Sequence, residues 1–168
     1  MLPDSVALRV DRLDRRISAA MRRWSLSALR VSLAVIFVWF GILKPLGISA
    51  AAPLVRAMVE WLPFFSAGTW VSIIGWWEVS IGLTFLWQRT ARIAIALLAI
   101  QMAGTFLPLV ILPEMTFQAG RFPYAPTMEG QYIVKNLLII SAALVIGGSV
   151  RRRDPGKPPE GACEVTAG

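Results

Sequence analysis

The sequence predicts an all-α integral membrane protein, a bundle of four membrane-spanning helices preceded by a basic amphipathic helix. Hydrophobic residues make up 56% of the 168 residues and charged residues only 16%, whereas charged residues approach a quarter of an ordinary soluble domain. The apolar residues fall into four runs near the length that crosses the hydrocarbon core, about 20 residues. Almost all positive charges lie beside these runs rather than within them. A chain of this length and pattern is one membrane domain with short loops and two polar tails.

The distribution of positive charge predicts the topology. The net charge of +7 would fit a nucleic-acid binder. The positions of the positive residues along the chain are more informative about function than the net charge. Of the 17 lysines and arginines, 13 lie before the first predicted span or at its start (Arg30), between the second and third, or after the fourth. The other four are Lys44, Arg56, Arg121 and Lys135. Because loops rich in Lys and Arg stay in the cytoplasm, we expect a multi-pass protein of a bacterial-type inner membrane, both termini cytoplasmic, with no nucleic-acid partner.

Residues 1–23 form the predicted amphipathic helix. Apolar residues recur at steps of four and three, which places them on one helical face. They are Val6, Val10, Leu13, Ile17, Ala20 and Trp24. The opposite face is rich in arginine, and Asp11 and Arg15 have the spacing of a helical ion pair. Such a helix lies most simply on the anionic inner leaflet, and docking on a cytoplasmic protein is the alternative.

Residues 24–150 form the predicted membrane domain, with spans at about 26–44, 69–87, 93–112 and 131–150 by hydropathy and length. A stretch with Pro53 near its start predicts a short interfacial helix in the first outer loop. Pro108 is expected to kink the third span. The tail, 151–168, is rich in Pro, Gly and charge, a composition typical of a disordered cytoplasmic segment.

Two missing residue types limit the chemistry. The chain has a single cysteine, Cys163 in the tail, and no histidine. It therefore cannot form an internal disulfide or bind haem through two imidazoles, and no metal site is expected. Any redox chemistry needs an organic cofactor or a partner subunit, so a stand-alone enzyme is not expected.

Polar residues within the predicted spans mark the candidate site. Glu78 lies near the middle of the second span and Gln101 near the middle of the third, while Lys44 ends the first at its outer side. A charge at the bilayer centre costs about 2.5 to 3.5 kcal/mol, so it faces the bundle interior and finds a partner. We expect a cluster in the outer half in which Lys44 or Lys135 pairs with Glu78. The predicted ligand or proton site comprises Lys44, Glu78, Gln101, Tyr132, Lys135 and Asn136. A purely structural staple between helices is the alternative.

Several of these residues belong to motifs that resemble the DoxX-like family over about residues 24–150. The motifs are Arg30 with Phe40-Gly41-Ile42-Leu43-Lys44, Glu78 followed by Gly82, and Glu129-Gly-Gln-Tyr-Ile-Val-Lys-Asn136. The resemblance implies a four-helix membrane fold and, through relatives such as the DoxD subunit of thiosulfate:quinone oxidoreductase, a link to sulfur compounds or quinones. The implied roles fall on Gly41, Lys44, Glu78, Tyr132, Lys135 and Asn136. The predicted spans contain no cysteine, which argues against direct thiol chemistry.

The favoured hypothesis is a DoxX-like subunit or accessory of a membrane redox system, with the polar cluster binding a quinone or a small anion. Quinone is the cofactor that the resemblance allows. A small proton-coupled transporter and a non-catalytic assembly or anchoring protein stay open as alternatives. The expected partners are the lipid bilayer, membrane or cytoplasmic proteins, and further copies of the chain.

Overall fold

The computed structural model describes the backbone of residues 4–151 and the side chains of residues 10–149. The α-helices are α1 (Asp4–Leu43), α2 (Ala52–Val59), α3 (Ala67–Leu86), α4 (Ala91–Phe106), α5 (Pro108–Ile111), α6 (Pro113–Thr116) and α7 (Met128–Arg151). A short 3-10 turn at Gln88–Thr90 joins α3 to α4. Over the described backbone there is no strand, only one isolated β-bridge between Phe117 and Pro126. Apart from Arg151, the predicted tail at 151–168 lies outside the described residues.

Four helical stretches are long and apolar enough to cross a membrane. They are Val10–Leu43, Ala67–Leu86, Gln88–Ile111 and Met128–Ser149. Large apolar side chains cover the outside of the bundle, as on a surface that faces lipid. The prediction of an all-α membrane bundle with four spans is confirmed.

The leader and the first span, predicted as two elements, are one helix. α1 runs unbroken for 40 residues, a length of about 60 Å at 1.5 Å per residue. The sequence explains the continuity, because no glycine or proline occurs between Asp4 and Phe40. The predicted ion pair on the leader forms, with Arg15 Nε donating to Asp11 Oδ2 at 2.9 Å.

A glycine cap closes α1 and holds Lys44 in the turn that directly follows Leu43. Gly47 has φ of +75°, a conformation that glycine adopts without steric cost. The amide of Ile48 donates to the Leu43 carbonyl at 3.1 Å and the amide of Gly47 to the Lys44 carbonyl at 3.0 Å. These two bonds are the pattern of a Schellman motif, which satisfies the last carbonyls of a helix. Lys44 therefore keeps a helical orientation relative to the residues before it.

Proline sets the shape of the remaining elements. α4 ends at Phe106 and α5 begins at Pro108, so the third span is interrupted where Pro108 predicts a kink. The predicted short helix after the first span is α2, which has proline in its first turn and buries Ala52 and Val59. Thr127 directly precedes α7 and caps its first turn, because its hydroxyl accepts a hydrogen bond from the Gly130 amide at 3.2 Å.

The two ends of the bundle differ. We call the end that carries Arg30, the Gln88–Thr90 turn and Arg92 the basic end, and the end that carries α2, α5 and α6 the loop end. The apolar core lies mainly toward the basic end, where four helices meet. It comprises Leu33, Ala34, Phe37, Ile81, Phe85, Ala91, Ala94, Leu98, Met102, Ala142, Ala143 and Ile146. The polar side chains of the candidate site lie beside this core, toward the loop end.

Candidate functional site

A carboxylate that two other helices contact forms the centre of the site. Glu78 of α3 forms an ion pair with Lys44, through Nζ and Oε2. Its second oxygen, Oε1, accepts a hydrogen bond from Gln101 Nε2 of α4 at 2.9 Å. One side chain thus connects α1, α3 and α4, and both of its oxygens have a donor.

The ion pair is removed from the surface of the chain. The exposed fraction of the side chain is 7% for Lys44 and 13% for Glu78. Lys44 and Thr116 are the two buried polar residues in the described part of the protein. In such surroundings charge–charge attraction is stronger than in water, but an unpartnered charge costs several kcal/mol. Pairing is therefore what allows both charges to remain inside the bundle.

Close approach of two backbones places Lys44 next to Glu78. A Cβ atom added to Gly75 would lie 2.6 Å from the Gly41 carbonyl oxygen and 2.8 Å from Lys44 Cβ. A side chain at Gly75 would occupy the space through which α1 crosses α3. Only glycine permits this contact, as in the small-residue interfaces of other membrane helices. The antiparallel contact brings the last turn of α1 alongside the turn of α3 that carries Glu78.

The position of Lys44 along α3 follows from the same packing. Lys44 packs beside Gly75, which is about 12 Å along α3 from its start at Ala67 by helical rise. The lysine directly follows Leu43, where the first candidate span ends, as the sequence predicts for the end of that span.

The cluster keeps hydrogen-bonding capacity for a ligand. A lysine ammonium has three N–H donors, and in the described residues Lys44 uses one of them, on Glu78. The Gln101 side-chain carbonyl is an acceptor, and among the described side chains its amide bonds only through Nε2. A ligand oxygen near Lys44 would meet an ammonium whose other two donors bond to no described residue, next to the Glu78 carboxylate.

The other three predicted site residues lie elsewhere. Tyr132 and Lys135 are exposed on α7, where the Lys135 ammonium lies over the Tyr132 ring, 5.2 Å from its centroid. Asn136 donates from Nδ2 to the Tyr132 carbonyl at 3.0 Å. The structure therefore brings Lys44, Glu78 and Gln101 together and leaves Tyr132, Lys135 and Asn136 as a separate group. Of the two lysines considered, the partner of Glu78 is Lys44.

The sequence did not predict the roles of two further polar residues, Trp70 and Arg30. The Trp70 Nε1 atom is the one buried side-chain donor without a partner over the described residues, and its ring packs edge-on against Phe65 at 5.5 Å. Arg30 binds the end of α3, with Nε donating to the Phe85 carbonyl at 3.0 Å and a terminal nitrogen to the Leu86 carbonyl at 2.7 Å. An arginine at the edge of an apolar run indicates a membrane boundary. That it caps the end of α3 can be recognised only once the antiparallel register of α1 and α3 is known.

No family model, curated protein or solved structure matches the chain. The buried Lys44–Glu78–Gln101 cluster is therefore the observation on which a function has to be based.

Proposed function

We propose that the chain is a DoxX-like membrane protein that acts as a subunit or accessory of a membrane redox system. Its buried cluster, Lys44, Glu78 and Gln101, binds a quinone head group or a small anion. The observation that carries the proposal is the buried ammonium of Lys44, which uses one of its three donors on Glu78 in the described residues.

The chemistry of the cluster suits an oxygen-bearing ligand. Lys44 donates to a quinone carbonyl or to an anionic oxygen, and charge-assisted bonds of this kind are stronger than neutral ones. Glu78 is the group that takes or gives a proton when the charge on the ligand changes. Gln101 holds the carboxylate from the opposite side through its 2.9 Å hydrogen bond, so the ion pair has a fixed orientation.

Electrons must come from outside this chain. The protein has no histidine, and its single cysteine is Cys163 of the tail. Its side chains offer no thiol pair or imidazole ligands for electron transfer. An accessory protein is therefore favoured over a complete oxidoreductase. Such an accessory binds and protonates the substrate of a redox partner.

The chain lies in a bacterial-type inner membrane with the basic end in the cytoplasm. The excess of Lys and Arg at that end supports this orientation, since such residues resist translocation. Membrane or cytoplasmic protein partners, as well as further copies of the chain, belong to the same proposal.

Binding to purified protein tests the function. Small molecules retained in mild detergent are identified by mass spectrometry, and a short-chain benzoquinone and thiosulfate are then titrated separately. Lys44→Met should weaken binding of the active probe about tenfold or more, the effect of removing a hydrogen bond to a charged group. Lys135→Met is the matched control, because this exposed lysine contacts Tyr132 instead. Equal loss in both variants would contradict the proposed site.

One observation favours a second candidate, a structural role without a ligand. Both oxygens of Glu78 already have donors, from Lys44 and Gln101, so the cluster can hold three helices together unaided. If neither probe binds, no small molecule co-purifies, and the variants lose only stability, the cluster is a staple in an assembly or anchoring protein.

A further inference from the structure

One side of α1 is apolar and uncovered over nearly its whole length. We call it the exposed stripe, and its residues are Val10, Leu13, Ile17, Met21, Trp24, Val31, Val35, Trp39 and Ile42. Their exposed fractions range from 38% to 65%. They recur at steps of three or four, with a step of seven between Trp24 and Val31, so they share one helical face.

The exposed stripe is longer than a bilayer is thick. Val10 and Ile42 are separated by about 48 Å of helical rise, against about 30 Å of hydrocarbon. Arg30 marks the basic end of the bundle, because it binds the last carbonyls of α3. The part of the stripe before Arg30 therefore extends about 30 Å beyond that end, where lipid tails do not reach.

Nothing in α1 turns this part of the stripe back toward the membrane. Sharp helix kinks arise mainly at proline, glycine or bulges, and neither proline nor glycine occurs between Asp4 and Phe40. The helix is continuous through the boundary at Arg30. A single copy would leave five large apolar side chains in water, namely Val10, Leu13, Ile17, Met21 and Trp24.

We propose that the exposed stripe is the interface with a second copy of this chain, formed by two parallel α1 helices. Lipid tails cover the part of the stripe inside the hydrocarbon, so the occupant has to cover the five apolar side chains beyond it. A second α1 has a stripe of the same length, and copies inserted in the same orientation present it in parallel. Val10, Ile17, Trp24 and Val31 recur every seven residues, the period at which two helices wind around each other.

The arginines on the face of α1 opposite the stripe are compatible with this pairing, while Arg16 and Arg23 flank the stripe. Arg12, Arg15 and Arg22 project from the face opposite the stripe, at 100° per residue. In a pair of helices each about 10 to 12 Å wide, these arginines lie roughly 20 Å apart, beyond the screening length of about 8 Å at physiological salt. Asp11 also neutralises Arg15 within each copy.

Cysteine cross-linking of the full chain in native membranes tests the interface. The natural cysteine is removed by Cys163→Ser, and single cysteines are introduced on the stripe, as Ile17→Cys or Trp24→Cys. Ala19→Cys and Arg22→Cys, on the opposite face and also exposed, are the matched controls. Oxidation should give several-fold more covalent dimer at the two stripe positions than at the controls. Equal yields at all four positions would overturn the proposal.

Two further measurements separate a dimer from other occupants. Ile17→Asp should convert the dimer to monomer in mild detergent by light scattering, without lowering the melting temperature of the bundle, whereas Ala19→Asp should stay dimeric. An environment-sensitive fluorophore at position 17 should resist quenching by nitroxide lipids in anionic vesicles. Strong quenching there, without stripe cross-links, would show that the anionic leaflet covers the stripe. None of these outcomes depends on ligand binding at Lys44.

Discussion

Gly41 of α1 and Gly75 of α3 are in backbone contact, and this contact sets the position of Lys44. A Cβ on Gly75 would lie 2.6 Å from the Gly41 carbonyl oxygen and 2.7 Å from Pro45 Cδ. Neither atom belongs to a flexible side chain that could move aside. The helices therefore have to separate if Gly75 acquires a side chain.

Gly75→Ala should consequently destabilise the bundle and weaken ligand binding together. Overpacking of this kind costs about 1 to 3 kcal/mol, which is expected to lower the melting temperature in detergent by several degrees. Gly104→Ala is the matched control, because nothing lies within 4 Å of a Cβ at that helical glycine and alanine is the better helix former. An unchanged melting temperature for Gly75→Ala would show that the α1–α3 contact leaves room for a methyl group.

Gln101→Leu should cost less than loss of the ion pair but should affect the same site. The change removes the 2.9 Å hydrogen bond to Glu78 Oε1 at nearly constant volume. A hydrogen bond to a charged group is worth about 1.5 to 3 kcal/mol, so we expect a loss of that order in detergent unfolding. Gln131→Leu is the control, since Gln131 is exposed at the start of α7. Similar stability of the two variants would argue that Gln101 does not hold the carboxylate.

Arg30→Met should loosen the end of α3 without disturbing the site. The variant loses both hydrogen bonds to the Phe85 and Leu86 carbonyls, which are otherwise unsatisfied at a helix end. Amide hydrogen exchange of residues 84–92 should become faster, while exchange around Glu78 stays unchanged. Arg92→Met, at the exposed start of α4, should leave both regions as they are. Faster exchange throughout α3 would instead indicate that Arg30 supports the whole bundle.

The fold was predictable because the bilayer fixes the length and polarity of each span. The pairing of Glu78 with Lys44 was also within reach of the sequence, since a buried charge needs an opposite charge at similar depth. The separation of Tyr132, Lys135 and Asn136 from the Lys44–Glu78 pair was not predictable. α7 is apolar on most faces, so its sequence does not reveal which face meets the bundle. The sequence indicates the close approach of α1 to Gly75 only weakly. The indication is a second small residue, Gly82, which lies seven positions later on the same helical face.

Reporter fusions test the orientation of the bundle. Fusions after Arg153 and within the turn between α3 and α4 should report a cytoplasmic location, and fusions in 113–130 an external one. The expectation follows from the excess of Lys and Arg at the basic end. Opposite locations for the tail and the α3–α4 turn would contradict four spans, and a uniform reversal would contradict the positive-inside assignment alone.

The Lys44–Glu78 pair makes the sharpest prediction, because the two charges are buried together. Lys44→Met alone leaves an uncompensated carboxylate, and Glu78→Gln alone leaves an uncompensated ammonium, each at about 3 to 5 kcal/mol. Replacing both removes the charges, and the double variant should be more stable than the sum of the two single losses predicts. Unfolding in detergent measures this coupling energy, which is expected to exceed about 1 kcal/mol for residues in contact.

A double-mutant cycle that combines Lys135→Met with Glu78→Gln is the matched control for the same measurement. Its ammonium lies over the Tyr132 ring, so Lys135→Met and Glu78→Gln should add without coupling. If Glu78→Gln couples to Lys135→Met instead, α7 packs with Lys135 toward Glu78, and the ligand site moves to that side of the bundle. If it couples to neither lysine, Glu78 is held as a neutral acid. A carboxylic C=O infrared band at neutral pH, lost in Glu78→Gln, would then identify it as a proton carrier without a fixed cation.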